Sequence, residues 1–167
     1  MQKLYLVNPF DGEQVRRIQE FEEEQGVHTD TMSFLERIQS SCTEEEYQWR
    51  KKNKNEIEED LIIEKDSKVI DSCHIYGEKD MKRCRISFAP IKRKSRKLIA
   101  LATEYSTSTL GMEEVFIKVS PEDESLLSLL GKENFENLGE ESGSILFLKE
   151  KEADTEKGSN YENNQKK

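Results

Sequence analysis

The spacing of hydrophobic residues divides the chain into a helical first part and a strand-rich centre. Before residue 55, apolar residues recur three or four positions apart, as they do from Val15 to Phe21, which predicts amphipathic helices. Thr43 precedes three glutamates, and the same segment ends in a basic run, the order of charges that a helix dipole favours. The pattern therefore predicts a first strand over residues 3–8, followed by helices.

At residue 60 the pattern changes to β-branched and aromatic residues. Three segments share this composition and are separated by turn residues: 60–66, 68–77 and 82–91. They predict an antiparallel meander with turns at Asp66–Ser67 and at Gly77–Asp80. A four-residue second turn would place Cys73 opposite Cys84, on one apolar face.

The chain after residue 97 alternates again between helical and strand patterns. Leu98 opens a helical pattern that stops at Gly111, and a strand, a second helix and a closing hairpin follow. We therefore predict an α/β fold for a single domain over residues 1–150. Residues 151–167 have almost nothing to bury, which predicts a disordered tail.

A basic turn joins the predicted strand that ends near Pro90 to the helix that begins near Leu98. The cations of this turn are Lys92, Arg93, Lys94, Arg96 and Lys97. The free amides in the first turn of a helix and the helix dipole both attract anions. The turn therefore predicts a phosphate site, and the alternative is a solvated turn that offsets an acidic protein.

Charge and cysteine content exclude several classes of protein. A net charge of −9 with 37% charged residues argues against general nucleic-acid binding, which needs a broad basic face. No apolar run approaches ~18 residues, and the N-terminus lacks a signal-peptide pattern, so we expect no membrane span and a cytoplasmic protein. The 3 cysteines form no CxxC pair, which indicates inert thiols and no bound metal.

The order of elements, most of all over residues 81–150, resembles the GNAT superfamily of acyl-CoA-dependent N-acetyltransferases. Residues 134–139, NFENLG, are similar to a recurrent GF.nlG sequence of that family. The resemblance implies a GNAT-like mixed, mainly antiparallel sheet of six or seven strands, flanked by helices on both faces. It also implies an acetyltransferase that uses acetyl-CoA as cosubstrate and transfers the acetyl group directly to an amine of a small molecule or protein.

The same resemblance places the cofactor along the basic turn. The implied cofactor-binding residues are Phe88, Ala89, Pro90, Ile91, Arg93, Lys94, Ser95, Arg96, Lys97, Ser120 and Glu124. The first four would pair with pantetheine, because Pro90 has no N–H and opens the strand ladder beside Phe88 and Ala89. The next five would hold the pyrophosphate, and the last two would border its far side.

Two departures from the family pattern support an alternative function. The family's turn, [Q/R]xxGx[G/A], carries glycines that are absent here, and residues 121–150 contain no tyrosine to protonate the departing thiolate. The alternative is a catalytically inactive GNAT-like module that binds a protein partner with or without CoA. A third interpretation is an acidic interaction protein whose basic turn binds nothing.

The candidate catalytic residues are Glu64, His74 and Glu113. A carboxylate can take the proton of an attacking amine through water, and histidine titrates near neutral pH. The alternatives are solvated charges at strand ends for the glutamates and a partly buried, hydrogen-bonded residue for His74. The acidic surface favours a cationic amine as acceptor.

Two further expectations concern partners. Tyr47 and Trp49 either line an acceptor pocket or anchor a helix to the core. The resemblance also implies a homodimer that forms through the last strand, residues 144–150.

Overall fold

The structure is a computed structural model that describes residues 2–152. Of the predicted tail, residues 153–167 lie outside the described part. The strands of the described chain are β1 (Gln2–Leu6), β2 (Glu56–Lys65), β3 (Lys68–Glu78), β4 (Arg83–Phe88), β5 (Glu114–Val119), β6 (Glu136–Glu141) and β7 (Ser144–Glu150). The helices are α1 (Gly12–Gln25), α2 (Asp30–Ser41), α3 (Glu44–Asn53), α4 (Arg96–Glu104) and α5 (Glu124–Lys132), and α4 continues into a π-helical turn, Tyr105–Thr109.

Short-range signals start and stop the helices. The side chain of Asp11 accepts two amides of the first turn and caps α1, which ends at Gly26 with a φ of +67°. Thr43 and Glu46 form a reciprocal capping box at the start of α3. Within residues 2–152, no helix is both long and apolar enough to cross a membrane.

The described strands form one sheet in the order β1-β2-β3-β4-β5-β7-β6. All neighbours are antiparallel except β4 and β5. The predicted mixed, mainly antiparallel sheet is therefore confirmed, with seven strands. Because β7 has a neighbour on each side, it offers no free edge to a second copy of the chain, and the expected homodimer stays a prediction.

Helices cover both faces of this sheet, as predicted. α1, α2 and α3 pack on what we call the first face, where Phe34 and Leu35 meet Ile62. α4 and α5 pack on the second face, where Leu98 and Leu130 join a core with the strands. Two cores on opposite faces hold the sheet between them, as in other α/β layers.

The predicted register between β3 and β4 is wrong. β3 continues beyond Gly77, so Cys73 lies opposite Phe88 and Gly77 lies opposite Cys84. A Cβ on Gly77 would lie 2.8 Å from the Cβ of Cys84, so glycine allows a close approach here rather than a turn. Cys73 and Cys84 are both buried and free, and burial raises the pKa of the Cys73 thiol well above its ordinary value, which is the state expected of inert thiols.

The parallel strands β4 and β5 separate soon after they meet. The residues 83–85 pair with residues 114–116, and β5 then runs along β7 as far as Val119. β4 continues through Ser87 and Phe88 with β3 as its neighbour. A gap, which we call the seam, therefore opens on the β5 side of β4 from Ser87 onward.

Candidate functional site

Ser95 organises the basic turn at the open end of the seam. Its side chain accepts a hydrogen bond from the amide of Leu98 at 3.1 Å and so caps α4. In the part of the chain that the structure describes, the amides of Arg96 and Lys97 have no protein acceptor. These free amides, together with the dipole of α4, form an anion-binding arrangement.

Asp71 ties this turn to β3. Its side chain is buried and accepts hydrogen bonds from the amides of Ser72 and Ser95, each at 2.8 Å. Burial raises the pKa of Asp71 to about 6, although the two hydrogen bonds oppose the rise. The start of α4 is therefore fixed by a carboxylate that titrates close to neutral pH.

Lys94 crosses the open end of the seam. Its side chain is 1% exposed and lies 3.8 Å from the carboxylate of Asp123, the cap of α5. Its ammonium donates a hydrogen bond to the carbonyl of Ala89 at the end of β4. Burial lowers the pKa of Lys94, which means that its charged form is destabilised by loss of water. A phosphate bound at the open end of the seam would stabilise this cation.

Ala89 does not offer the free backbone groups that the sequence predicted. Its amide donates to the carbonyl of Ser72 at 3.1 Å, and its carbonyl accepts from the amide of Ile91 at 2.8 Å as well as from Lys94. The prediction is wrong for this residue because the turn after Pro90 closes on itself and on β3.

Lys92 and Arg93 are exposed on the turn. They line a cavity of about 730 Å³ together with Lys65 and Lys68 from the β2–β3 hairpin. Lys94 also lines it, and the lining includes Glu24, which pairs with Lys68 at 3.4 Å. Five cations against one carboxylate attract an anion, since like charges held close together are stabilised by an opposite charge. The basic character of the turn thus extends to its neighbours.

Three other residues were expected at the cofactor: Arg96, Ser120 and Glu124. Arg96 is held by Glu133 at 2.6 Å. Ser120 follows β5, and its hydroxyl accepts from the amide of Glu122 at 3.3 Å. Glu124 begins α5, directly after Asp123, whose carboxylate lies 3.8 Å from Lys94 of the basic turn.

His74 belongs to a fully paired group of charges on the first face. Its Nδ1 lies 2.7 Å from Asp60 and its Nε2 lies 3.1 Å from Glu58. Arg37 donates two hydrogen bonds to the same Glu58, at 3.1 and 3.0 Å. We call these four residues the closed cluster.

The closed cluster keeps His74 protonated. Burial alone would lower the pKa of His74, but the hydrogen bonds to Asp60 and Glu58 raise it to about 9. Burial would raise the pKa of Glu58, but hydrogen bonds from His74 and Arg37 lower it to about 2. At neutral pH His74 is a paired cation, which agrees with the interpretation of a buried, hydrogen-bonded histidine.

The two candidate glutamates lie away from the seam. Glu64 on β2 accepts hydrogen bonds from Tyr5 and, at 2.6 Å, from Arg17, and β3 separates it from β4. Glu113 precedes β5 and lies 3.8 Å from Lys82, where β4 and β5 are still joined. Of the three predicted catalytic residues, only His74 is next to the gap, directly opposite Ser87, and carboxylates occupy both of its ring nitrogens.

Asp30 is a carboxylate at the seam that sequence reasoning missed. The hydroxyl of Ser87, where β4 leaves β5, donates a hydrogen bond to the Asp30 carboxylate. Asp30 is the first residue of α2 and is exposed to solvent. The two residues are 57 positions apart, so no local pattern could have joined them.

Tyr47 and Trp49 have different surroundings. Tyr47 is buried against Phe10 and Phe34 and also lines a cavity of about 510 Å³ on the first face. Trp49 is 59% exposed and does not line this cavity. Tyr47 therefore both anchors α3 and forms part of a pocket.

Comparison with known proteins gives matches in structure. No protein-family model and no curated protein sequence matches the chain. The N-acetyltransferase PseH of Campylobacter jejuni in complex with acetyl coenzyme A has a TM-score of 0.62 and 13% identity over 91% of this chain and 100% of that chain. The PaiA N-acetyltransferase of Thermoplasma acidophilum in complex with coenzyme A has a TM-score of 0.59 and 14% identity over 90% of this chain and 99% of that chain.

A third similar structure is the dodecameric spermidine N-acetyltransferase of Vibrio cholerae. It has a TM-score of 0.58 and 16% identity over 88% of this chain and 91% of that chain. Identities at this level establish a likeness of fold. The chain has the fold of the GNAT N-acetyltransferases, as its sequence resemblance implied.

Proposed function

We propose that this protein is an acetyl-CoA-dependent N-acetyltransferase. The observation that carries the proposal is the seam, a gap beside β4 whose open end is bordered by a basic turn and the start of α4. An extended, amide-bearing chain with a pyrophosphate fits a gap of this kind, because free strand edges pair with amides and helix starts bind phosphates. Two of the similar structures contain acetyl coenzyme A or coenzyme A.

The absence of glycine does not prevent the turn from binding phosphate. Among the described residues, no residue between 88 and 98 has a positive φ, so the turn needs no left-handed conformation. Ser95 has φ −94° and ψ 111°, the ordinary extended conformation of a helix cap. The turn can therefore leave the amides of Arg96 and Lys97 available to a phosphate without glycine.

The residues of this chain have distinct roles in the proposed reaction. The amides of Arg96 and Lys97 and the charges of Lys92 and Arg93 would hold the pyrophosphate. When bound, acetyl-CoA supplies an activated acetyl thioester. Phe88 would pair with its pantetheine arm on the side that β5 leaves free, because Ser87 and Ala89, the residues on either side of it, direct their backbone groups to β3.

Asp30 would serve the acceptor amine. An ammonium must lose a proton before it can attack, and an exposed carboxylate beside the gap can take that proton directly or through water. The amine nitrogen would then bond to the acetyl carbon and release a second proton to solvent, the carbon–sulfur bond would break, and the thiolate would take up a proton from solvent. Ser87 positions Asp30 through its hydroxyl.

Calorimetric titration with acetyl-CoA tests this proposal. We expect micromolar binding by the natural chain and a loss of at least tenfold in a Lys92→Ala/Arg93→Ala variant, since each phosphate contact carries about 1.5–3 kcal/mol. Arg96 stays unchanged in this variant because its side chain is paired with Glu133. A Lys52→Ala/Lys82→Ala variant removes the same charge at the opposite end of β4 from the turn and is expected to bind like the natural chain.

Each result separates the functions that the sequence left open. Binding together with thiol release in the presence of an amine panel supports the transferase. Binding without transfer to any amine favours the inactive module. No binding up to millimolar acetyl-CoA, or equal losses in both double variants, contradicts the phosphate site.

A further inference from the structure

Cations gather on the first face although the whole chain is acidic. The formal net charge is −9. The cavity of about 510 Å³ on this face is nevertheless lined by Arg37, Arg50, Lys51 and Lys54, against two glutamates. A local excess of one sign in a concave site selects ligands of the opposite sign.

Most of these cations are not neutralised by the protein. Within residues 2–152, no carboxylate lies within 4.0 Å of Arg50, Lys51 or Lys54, and Lys51 lies over the ring of Tyr47 at 5.5 Å. Glu58, one of the two acidic residues of the lining, is already paired with Arg37 and His74. The positive charge of the cavity is therefore available to a ligand.

The rest of the lining is aromatic and apolar. Phe34 and Ile38 contribute from α2, Tyr47 from α3 and Tyr76 from β3. Flat apolar walls favour a planar ring, which they can stack against. A volume of this size is typical of sites for small organic molecules.

This cavity and Ser87 lie on the same face of the sheet. Tyr76 also lines a neighbouring cavity of about 270 Å³ that is bordered by Arg85 and Lys118. Arg85 is two residues before Ser87 on β4, and Tyr76 and Glu58 follow it on the next two strands. With about 3.4 Å per residue and about 4.8 Å between strands, the lining of the basic cavity begins at Tyr76, roughly 8 Å from Ser87, and continues to Glu58, roughly 12 Å away.

We propose that the acceptor is a small amine that also carries a planar ring and an anionic phosphate or carboxylate group. Its ammonium would lie at Asp30 and Ser87, and its anionic end would lie among Arg50, Lys51 and Lys54. This inference rests on the proposed function and names its substrate class. It reverses the expectation, drawn from net charge alone, of a purely cationic acceptor, because the charge of the site differs in sign from that of the chain.

Two variants of α3 test the binding half of the proposal. Phenyl phosphate is titrated by calorimetry into the full chain with the Lys92→Ala/Arg93→Ala background, so that the turn does not compete. We expect Lys54→Glu to weaken binding about tenfold and Lys52→Glu to leave it within twofold. Both substitutions make the same charge change at the end of one helix, but only Lys54 lines the cavity.

The outcomes are distinct. Equal losses in the two variants, absence of phenyl phosphate binding, or tighter binding of benzylammonium than of phenyl phosphate would each overturn the anionic acceptor. Inorganic phosphate is the second probe, and we expect it to bind more weakly because it cannot use the aromatic walls.

Transfer assays connect the cavity to the reaction. We expect 4-(6-aminohexyl)phenyl phosphate, whose alkyl chain is long enough to reach from the cavity to Ser87, to be acetylated with a kcat/KM at least tenfold above that of 6-phenylhexylamine, and Lys54→Glu to remove most of that advantage. Acetyl-CoA binding and transfer without any preference for the anionic amine would reject this inference alone. Phenyl phosphate binding at the cavity in a protein that does not bind acetyl-CoA would instead reject the proposed function.

Discussion

Charged side chains occur in two regions of this sheet, and the two regions are built differently. In the closed cluster, His74 has a carboxylate on each ring nitrogen and Arg37 completes the pairing of Glu58. At the seam, the buried Asp71 accepts only from backbone amides, Lys94 donates to a carbonyl and lies 3.8 Å from Asp123, and the exposed Asp30 accepts from one hydroxyl. The difference teaches that complete pairing with opposite charges separates the charges that hold the fold from the charges left for a ligand.

The largest expected effect comes from breaking the closed cluster. We expect His74→Leu to lower the free energy of unfolding by about 4 kcal/mol, because it leaves the buried Asp60 without its partner. Denaturant unfolding measures this change. A double variant, His74→Leu/Asp60→Asn, is expected to lose less than the sum of the two single variants. If His74→Leu kept its stability and lost only transfer activity, His74 would belong with the seam.

The pH dependence of stability is the next effect. The pKa of His74 is about 9 in the folded chain and about 6.5 in the unfolded chain, so the folded state holds the proton more tightly. Protonated His74 therefore stabilises the folded chain fully below pH 6.5. This stabilisation is lost as the pH rises from there through 9, and the free energy of unfolding falls by about 3 kcal/mol in total. We expect unfolding curves between pH 6 and 10 to show this fall and the His74→Leu variant to show a smaller one. Equal slopes in the two proteins would contradict the pairing.

The third effect concerns catalysis at the seam. We expect Asp30→Asn to lower kcat about a hundredfold, the lower range for loss of a general base, with acetyl-CoA affinity unchanged. Glu36→Gln removes an exposed charge from the same helix and serves as its control. A loss of stability equal to that of His74→Leu would place Asp30 among the structural charges.

The smallest effect is expected at Lys94. Replacing it with Met preserves the length of the side chain and removes a cation from the open end of the seam, so acetyl-CoA affinity should fall about tenfold. Calorimetry measures the change, with Lys132→Met as the control. A rise in affinity would show instead that Lys94 obstructs the gap, because its buried side chain joins Ala89 to Asp123 across it.

Local features of the structure could be predicted from the sequence because their causes are local. The order of charges after Thr43 predicted a helix, and that helix begins there with a capping box. The turn at Asp66–Ser67 joins β2 and β3 as predicted, with a positive φ at both residues. The basic turn likewise lies at the start of α4.

Non-local features could not be predicted in this way. Gly77 suggested a turn, but it lies within β3 opposite Cys84. Glycine is suited to this position because a Cβ would collide with the Cβ of Cys84 on the next strand. Glu64 and His74 suggested catalysis, but partners from distant segments, Arg17 and Asp60, pair them. No sequence pattern marked Asp30 as part of the site, since its contact with Ser87 depends on how α2 packs on the sheet.

By itself the sequence determined the elements, their order and the basic turn, because hydrophobic spacing, helix caps and turn residues act over a few positions. Only the tertiary structure decided where β4 leaves β5, which charges are paired, and that cations gather around one cavity in an acidic chain. The physical reason is that pairing and local charge depend on side chains brought together from distant segments. Net charge is a sum over the whole chain and contains no information on where the charged side chains lie in the structure.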